Sequence, residues 1–379
     1  MRLFRRFAAI TLAMAVTALA VWPGFAATTT VTDVTGRTVE VKTPVERVIL
    51  GEGRQIYFVA ALDREAPFHR IVGWRDDLAK ADPETYSAYL EKYPAIGKLP
   101  TFGGMKDGTF DVEQAVALKP DVILMNLDAK TATEEAGYIE TLKKVGIPLV
   151  YVDFREKPMV NTEPSMRLIG KLFGKEKVAE DFIAFRRQSI SAVTDVLKRE
   201  NPQRPLVFME RAGGYSDDCC MSFGDENFGK MVEIAGGINM AKDIIPGTFG
   251  TVNPEQIIAS NPDQVIVTGG NWEGYVPGGA WVGVGYGADE ALARKKLEAL
   301  TKRPAFTGIK AVKTGEVHAI WHQFYNNPYQ FVAIQQIAKW LHPDLFRDLD
   351  PDATFRELYA RFLPLDYKPG YFVSLARGE

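Results

Sequence analysis

Arginine and aromatic residues recur together along this 379-residue chain, in segments that follow expected β-strands. The first half carries Gly51-Glu-Gly-Arg54, Trp74-Arg75 and Phe102-Gly-Gly-Met-Lys106. The second half carries Glu210-Arg211 with Tyr215, then Trp272, Tyr275, Trp281 and Tyr286, and finally Trp321-His-Gln-Phe-Tyr325. Guanidinium groups recognise carboxylate or catecholate oxygens, and Trp and Tyr add rigid apolar contact area. Such a set suits a bulky, planar, anionic ligand, such as a chelated metal, held in a cleft. Arg54, Trp74, Arg75, Arg211, Tyr215, Trp272, His322 and Tyr325 are the candidate ligand-binding residues. Any one of them alone could equally serve a surface ion pair or the core.

Direct metal chemistry has few donors to draw on. His318 and His322 lie in Glu316-Val-His-Ala-Ile-Trp-His, which reads as a strand running into a loop. Residues four apart on a strand are about 13 Å apart, too far to chelate one ion. His322, at the strand end, could complete the coordination of an iron left open by its chelator, as could Tyr325; a packed or hydrogen-bonding role is the alternative. Cys219-Cys220 is the only cysteine pair. Across a trans peptide their Cα atoms would be about 3.8 Å apart, short of the usual disulfide span, so a vicinal bridge would be strained; buried thiols are the default, and bridged or free stays open.

Other functions lack a motif. Gly283-Val-Gly285-Tyr-Gly287 imitates part of a dinucleotide fingerprint, but no strand precedes it. There is no phosphate-binding loop, nucleophile elbow or His-Glu-x-x-His, so binding is expected, not catalysis, with no intrinsic cofactor. The formal charge is −3 and no basic stripe appears, which argues against nucleic acid.

The elements that must position these residues are announced by a repeat. Asp111-Val-Glu113-Gln-Ala-Val-Ala-Leu-Lys-Pro120-Asp121 precedes the apolar run Val122–Met125, and 142 residues later Asn253-Pro-Glu255-Gln-Ile-Ile-Ala-Ser-Asn-Pro262-Asp263 precedes Val265–Val267. Each copy reads as a capped helix, stopped before a proline and leading into a strand. Strands at Val45–Leu50, Ile71–Gly73, Val122–Met125 and Leu149–Val152 alternate with helices, which indicates a parallel sheet covered on both faces. Pro205–Met209 opens the second sheet, and Val31–Val41 reads as a β-hairpin. From Lys175 to Glu200 there is neither proline nor glycine, and Val178, Phe182, Phe185, Ile190, Val193 and Leu197 recur at helical spacing. That single helix would be roughly 39 Å long, enough to run along two lobes. The expected fold is α/β: two Rossmann-like lobes with central parallel sheets, joined by one long helix. The expected division is 27–160 for the first lobe, 161–201 for the connector and 202–379 for the second.

Residues 1–26 read as an address. Arg2, Arg5 and Arg6 precede the apolar run Phe7–Trp22, and small residues permit cleavage after Ala26. An exported, periplasmic protein is expected, with no cysteine near the cleavage site to carry lipid.

Together, the opening Val-Thr-Asp-x-x-Gly-Arg, the Val-Glu-Arg-Val strand, both Glu…Pro-Asp helices, the long connector and Glu233-Ile-Ala-Gly-Gly237-Ile-Asn239 resemble the periplasmic binding proteins of ABC importers with a single interlobe helix. That group carries iron–siderophores, haem and cobalamin. The resemblance implies a monomeric receptor that captures a chelated metal, a ferric siderophore first, and hands it to an inner-membrane ABC permease with its ATPase. Haem, cobalamin or a nickel complex are alternative ligands, and a receptor for a membrane sensor is an alternative use. It also implies that Glu113 and Glu255 dock onto permease arginines, although a glutamate in a first helical turn also favours the helix dipole.

Overall fold

The computed structural model describes residues 27–216 and 219–375; the expected signal peptide, residues 1–26, lies outside them. No helix among the described residues is long and apolar enough to cross a membrane.

Two central sheets organise the chain. The first has five parallel strands in the spatial order Thr101–Phe102, Ile71–Arg75, Val48–Leu50, Val122–Asn126 and Leu149–Val152. Val48–Leu50 is buried on both faces, as a strand between helical layers must be. It is also where the connection order reverses, so the loop after it opens into the crevice. The second sheet runs Phe249–Thr251, Met221–Phe223, Leu206–Glu210, Gln264–Gly269, Val317–Trp321 and Phe372–Ser374. Its central strands are parallel, whereas Met221–Phe223 and Phe372–Ser374 run antiparallel to their neighbours. The hairpin pairs Ala27–Thr32 with Thr38–Thr43.

The repeat occupies equivalent places in both sheets. Each copy crosses from an outer strand to the strand beside the central one, as helix Val112–Leu118 in the first lobe and Pro254–Ser260 in the second. Asp111 accepts the Gln114 N–H at 2.9 Å, and Asn253 with Gln256 forms a reciprocal cap. Both helices end in a left-handed residue, Lys119 and Asn261, before the proline. The aspartate after that proline braces the sheet. Asp121 accepts from the Glu46 and Arg47 N–H groups, both at 2.9 Å, and Asp263 from Leu206 N–H at 2.7 Å. Each thus pins the start of its lobe's central strand.

The connecting helix spans Glu176–Glu200, about 37 Å of axis. Its buried face includes Ala179, Phe182, Phe185 and Val193. Phe182 and Phe185 meet Phe331 of helix Gln330–Leu341 edge-on, and both also meet Phe362 of the C-terminal helix Pro351–Phe362. One continuous apolar cluster therefore runs through both lobes, which restrains their relative motion. The chain's end returns to the first lobe, where Arg64 donates to the Leu363 carbonyl at 2.9 Å.

Beneath the first-lobe loops, Asp82 accepts the Tyr57 hydroxyl at 2.7 Å in a site only 2% exposed. Burial raises its pKa to about 6. The folded state thus binds a proton that the unfolded chain releases near pH 4, and this contribution to stability is lost as pH rises from about 4 to 6. Two units correspond to roughly 3 kcal/mol. Asp82→Asn keeps an acceptor for Tyr57, so the variant should exceed wild type by about that amount at pH 7.5, with the gap closing toward pH 4. Urea unfolding across that range checks it.

Candidate functional site

Two strand ends supply the first lobe's share. After Val48–Leu50 the loop Gly51-Glu52-Gly53-Arg54 turns where no side chain fits at Gly53: a Cβ there would lie 2.4 Å from the Arg75 carbonyl oxygen. The Gly53 N–H donates to Asp77 at 2.6 Å, which sends Arg54 toward the second lobe. Arg54 donates to Asp77 at 2.6 Å, to Glu52 at 3.1 Å and to the hydroxyl of Tyr325 across the cleft. After Leu149–Val152, the Asp153 carboxylate accepts the N–H groups of Arg155, Glu156 and Lys157 at 2.8, 2.7 and 2.9 Å. The loop so fixed points Arg155 inward, 3.0 Å from Asp128 and 3.4 Å from Glu52.

In the second lobe the central strand Leu206–Glu210 ends at Arg211, the counterpart of Arg54. Glu210 is no partner for it, because Arg303 takes that carboxylate with two bonds at 2.7 and 2.5 Å. Arg211 lies over the Phe249 ring at 4.9 Å, and its one acceptor among the described residues is the Met221 thioether at 3.6 Å. Two strands along, beyond Gln264–Gly269, the strand Val317–Trp321 runs into a 3-10 turn, His322–Asn326, that presents His322 and Tyr325.

These side chains converge. The Arg54 and Arg155 guanidinium carbons lie 5.7 and 5.0 Å from the Tyr325 ring centre, and Arg155 is 5.8 Å from Phe249. His322 stands 4.3 Å from the Tyr325 ring and 5.5 Å from Trp272, which meets Tyr215 at 5.4 Å. Glu52 is the internal counter-ion. Burial pushes its pKa up, but Arg54, Arg155 and a hydrogen bond from Asn326 outweigh that and hold it below the usual carboxylate range. Burial, reinforced by Arg211, Arg54 and Arg155, holds the His322 pKa well below its ordinary value, so the imidazole is neutral at physiological pH. Its Nδ1 is 2.9 Å from the Thr268 hydroxyl, and Nε2 has no hydrogen-bond partner among the described residues.

The donor surplus is the feature that points outward. Arg155 Nε and Arg211 Nε are buried without an acceptor, and burial draws the Arg211 pKa down. Arg155 has Asp128 and Glu52 as counter-charges, but Arg211 has none among the described residues, and a guanidinium kept from water in that way is costly unless a ligand completes it. The arrangement can grip several anionic oxygens against aromatic faces.

Of the sequence candidates, Arg54, Arg211, Tyr215, Trp272, His322 and Tyr325 gather here. Trp74 does not: it is buried against Phe68 and Tyr86, because alternation along Ile71–Arg75 turns it into the first lobe's packing. Arg75 points the other way, to Asp107 at 3.0 Å near the surface. Arg155, Glu52 and Phe249 were missed. Arg155 follows the end of a legible strand and sits beside Phe154, so the rule that selected Arg54 could have found it. The cysteines also differ from expectation: Cys219 and Cys220 form a disulfide across a cis peptide with Cα atoms 3.2 Å apart, so the trans separation assumed for free thiols does not apply. Cys220 is buried in the second lobe's apolar cluster and does not line the site.

Comparison with known proteins agrees with this architecture. The family model described as periplasmic binding protein matches residues 71–322. The crystal structure of the TroA-like periplasmic binding protein FepB from Veillonella parvula is 30% identical, covers 91% of this chain and 99% of its own, and superposes with a TM-score of 0.82. The molybdate-binding protein MolA of Haemophilus influenzae is 22% identical over 89% of this chain and 92% of its own length. The Helicobacter pylori CeuE complex with Ni-His shares the fold, at 18% identity and TM-score 0.66, over 90% of this chain and 97% of that one. The two lobes, the single connecting helix and the family match thus place the chain in the periplasmic binding protein family, as a class III substrate-binding component of ABC importers that binds and does not catalyse.

Proposed function

We propose that the protein captures a chelated metal in the periplasm, in the first place a ferric siderophore, and delivers it to an inner-membrane ABC permease. The observation that carries this is the convergence of Arg54, Arg155 and Arg211 around Tyr325, with buried guanidinium donors that lack acceptors. Catecholate or hydroxamate oxygens would satisfy those donors through charge-assisted bonds. Flat chelator rings would lie against Trp272, Tyr215 and Phe249. Neutral His322 and the Tyr325 phenol, on one turn, are the protein groups suited to an iron whose chelator leaves positions open. Glu113 and Glu255 are the proposed docking carboxylates: each is exposed in the first turn of its helix, with no side-chain partner among the described residues.

A small oxyanion is the second reading, favoured by the same unpartnered donors and by the likeness to a molybdate-binding protein. Tryptophan quenching of the mature protein against ferric catecholates, ferric hydroxamates, haem, cobalamin, nickel–histidine and molybdate separates the possibilities. Saturable micromolar or tighter binding of a ferric chelate is expected. Binding of molybdate with none of the chelates would overturn the siderophore assignment.

A further inference from the structure

The helices that carry Glu113 and Glu255 share a second feature, away from the ligand cleft. Large hydrophobic side chains open to solvent are few among the described residues, and two of them, Val116 at 39% and Ile258 at 48% exposure, occupy matching positions of the repeat. Each follows its glutamate by three residues, which sets aliphatic group and carboxylate one turn apart on the same helix face. The next residue in both copies, Ala117 and Ala259, is small and exposed. The core is served by other positions, Ala115 and Ile257, which are fully buried. A single exposed aliphatic residue needs no explanation. Two at equivalent positions, each beside a carboxylate with no intramolecular partner among the described residues, form a duplicated unit that folding does not require.

We propose that Val116 and Ile258 are the apolar halves of two equivalent docking knobs for the importer's permease. At each knob a guanidinium of the permease takes the glutamate, an adjacent apolar socket takes the aliphatic side chain, and the alanine permits close approach. This rests on the docking role proposed for Glu113 and Glu255. The occupant is a cationic surface with an apolar socket beside each cation, because each patch offers a free negative charge next to an aliphatic group. It is built from two like halves, because both patches must be met at once. An exposed ion pair alone is weak and screened by salt, and an apolar contact that excludes water around it removes that weakness.

The test measures association of the ligand-loaded protein with its permease–ATPase complex in lipid nanodiscs, at 50 and 500 mM NaCl. Three proteins are compared: wild type, Val116→Ser with Ile258→Ser, and Glu113→Gln with Glu255→Gln. Matched thermal midpoints and ligand affinities establish that both variants are intact. The serine pair is expected to weaken association on the order of 10- to 100-fold at both salt concentrations, the effect of withdrawing two buried aliphatic side chains. The glutamine pair is expected to lose most at low salt, with a smaller difference at 500 mM. If the serine pair binds like wild type while the glutamine pair fails, the knob is wrong and glutamate docking stands. If both pairs bind like wild type, the docking role itself falls and the knob with it.

Discussion

Arg211→Ala is expected to weaken binding of the protein's tightest ligand by roughly 30- to 1,000-fold while leaving the empty protein at least as stable as wild type. The two halves of this result have one cause. Arg211 is taken out of water with only a thioether as acceptor among the described residues, and burial lowers its pKa. In the empty protein that is a desolvation cost with little return, so truncation does not harm folding. In the loaded protein, on the proposed reading, the same group supplies charge-assisted bonds to ligand oxygens, and removing one partner of such a contact costs about 2–4 kcal/mol. Arg54→Ala should behave differently. Arg54 is the one cation paired with buried Asp77 among the described residues, and shares buried Glu52 with Arg155, so its loss leaves the Asp77 carboxylate without a counter-charge. Unfolding free energy should fall by about 3–5 kcal/mol along with ligand affinity. Titration calorimetry with the tightest ligand of the binding panel, beside urea unfolding of the apoprotein, reads both quantities. An Arg211→Ala protein that binds normally would remove the arginine from the ligand site.

Reversing both proposed docking carboxylates, Glu113→Arg with Glu255→Arg, is expected to reduce transport to background without changing ligand affinity. Both side chains stand at helix starts fixed by their caps, so the reversed charges would be held in the same places. Opposed to permease guanidinium groups they become like-charge contacts, which cost several kcal/mol each. Either reversal alone leaves one lobe engaged and should give an intermediate rate. Uptake by cells or by permease-loaded vesicles measures the rate, and fluorescence titration gives the affinity. Unimpaired uptake by the double variant with intact binding would show that the lobes engage the membrane elsewhere.

How much of this was legible beforehand depended on how local each signal is. The strand at Leu149–Val152, the capped helices of the repeat and the connector were visible because caps, prolines and hydrophobic periods act within a few residues. The facing of a side chain at a strand end was harder. Trp74 and Arg75 are adjacent, and the pleat that sends one into the core sends the other to Asp107. Pairings across the cleft were invisible: Arg54 meets Tyr325 across 271 residues, and Asn326 reaches Glu52 across 274.

The amino-acid sequence by itself determined the doubled α/β plan, the rod between the halves, the equivalent glutamates and a supply of arginines and aromatics at strand ends. Only the tertiary structure decided which of them gather at the candidate site: Arg155 and Phe249 in, Trp74 out, Glu52 as the internal counter-ion, the cysteines joined to each other. The physical reason is range. Backbone propensity and capping are settled between near neighbours, whereas a buried guanidinium takes its partners from whichever distant strands the closed sheets bring within about 3 Å of it.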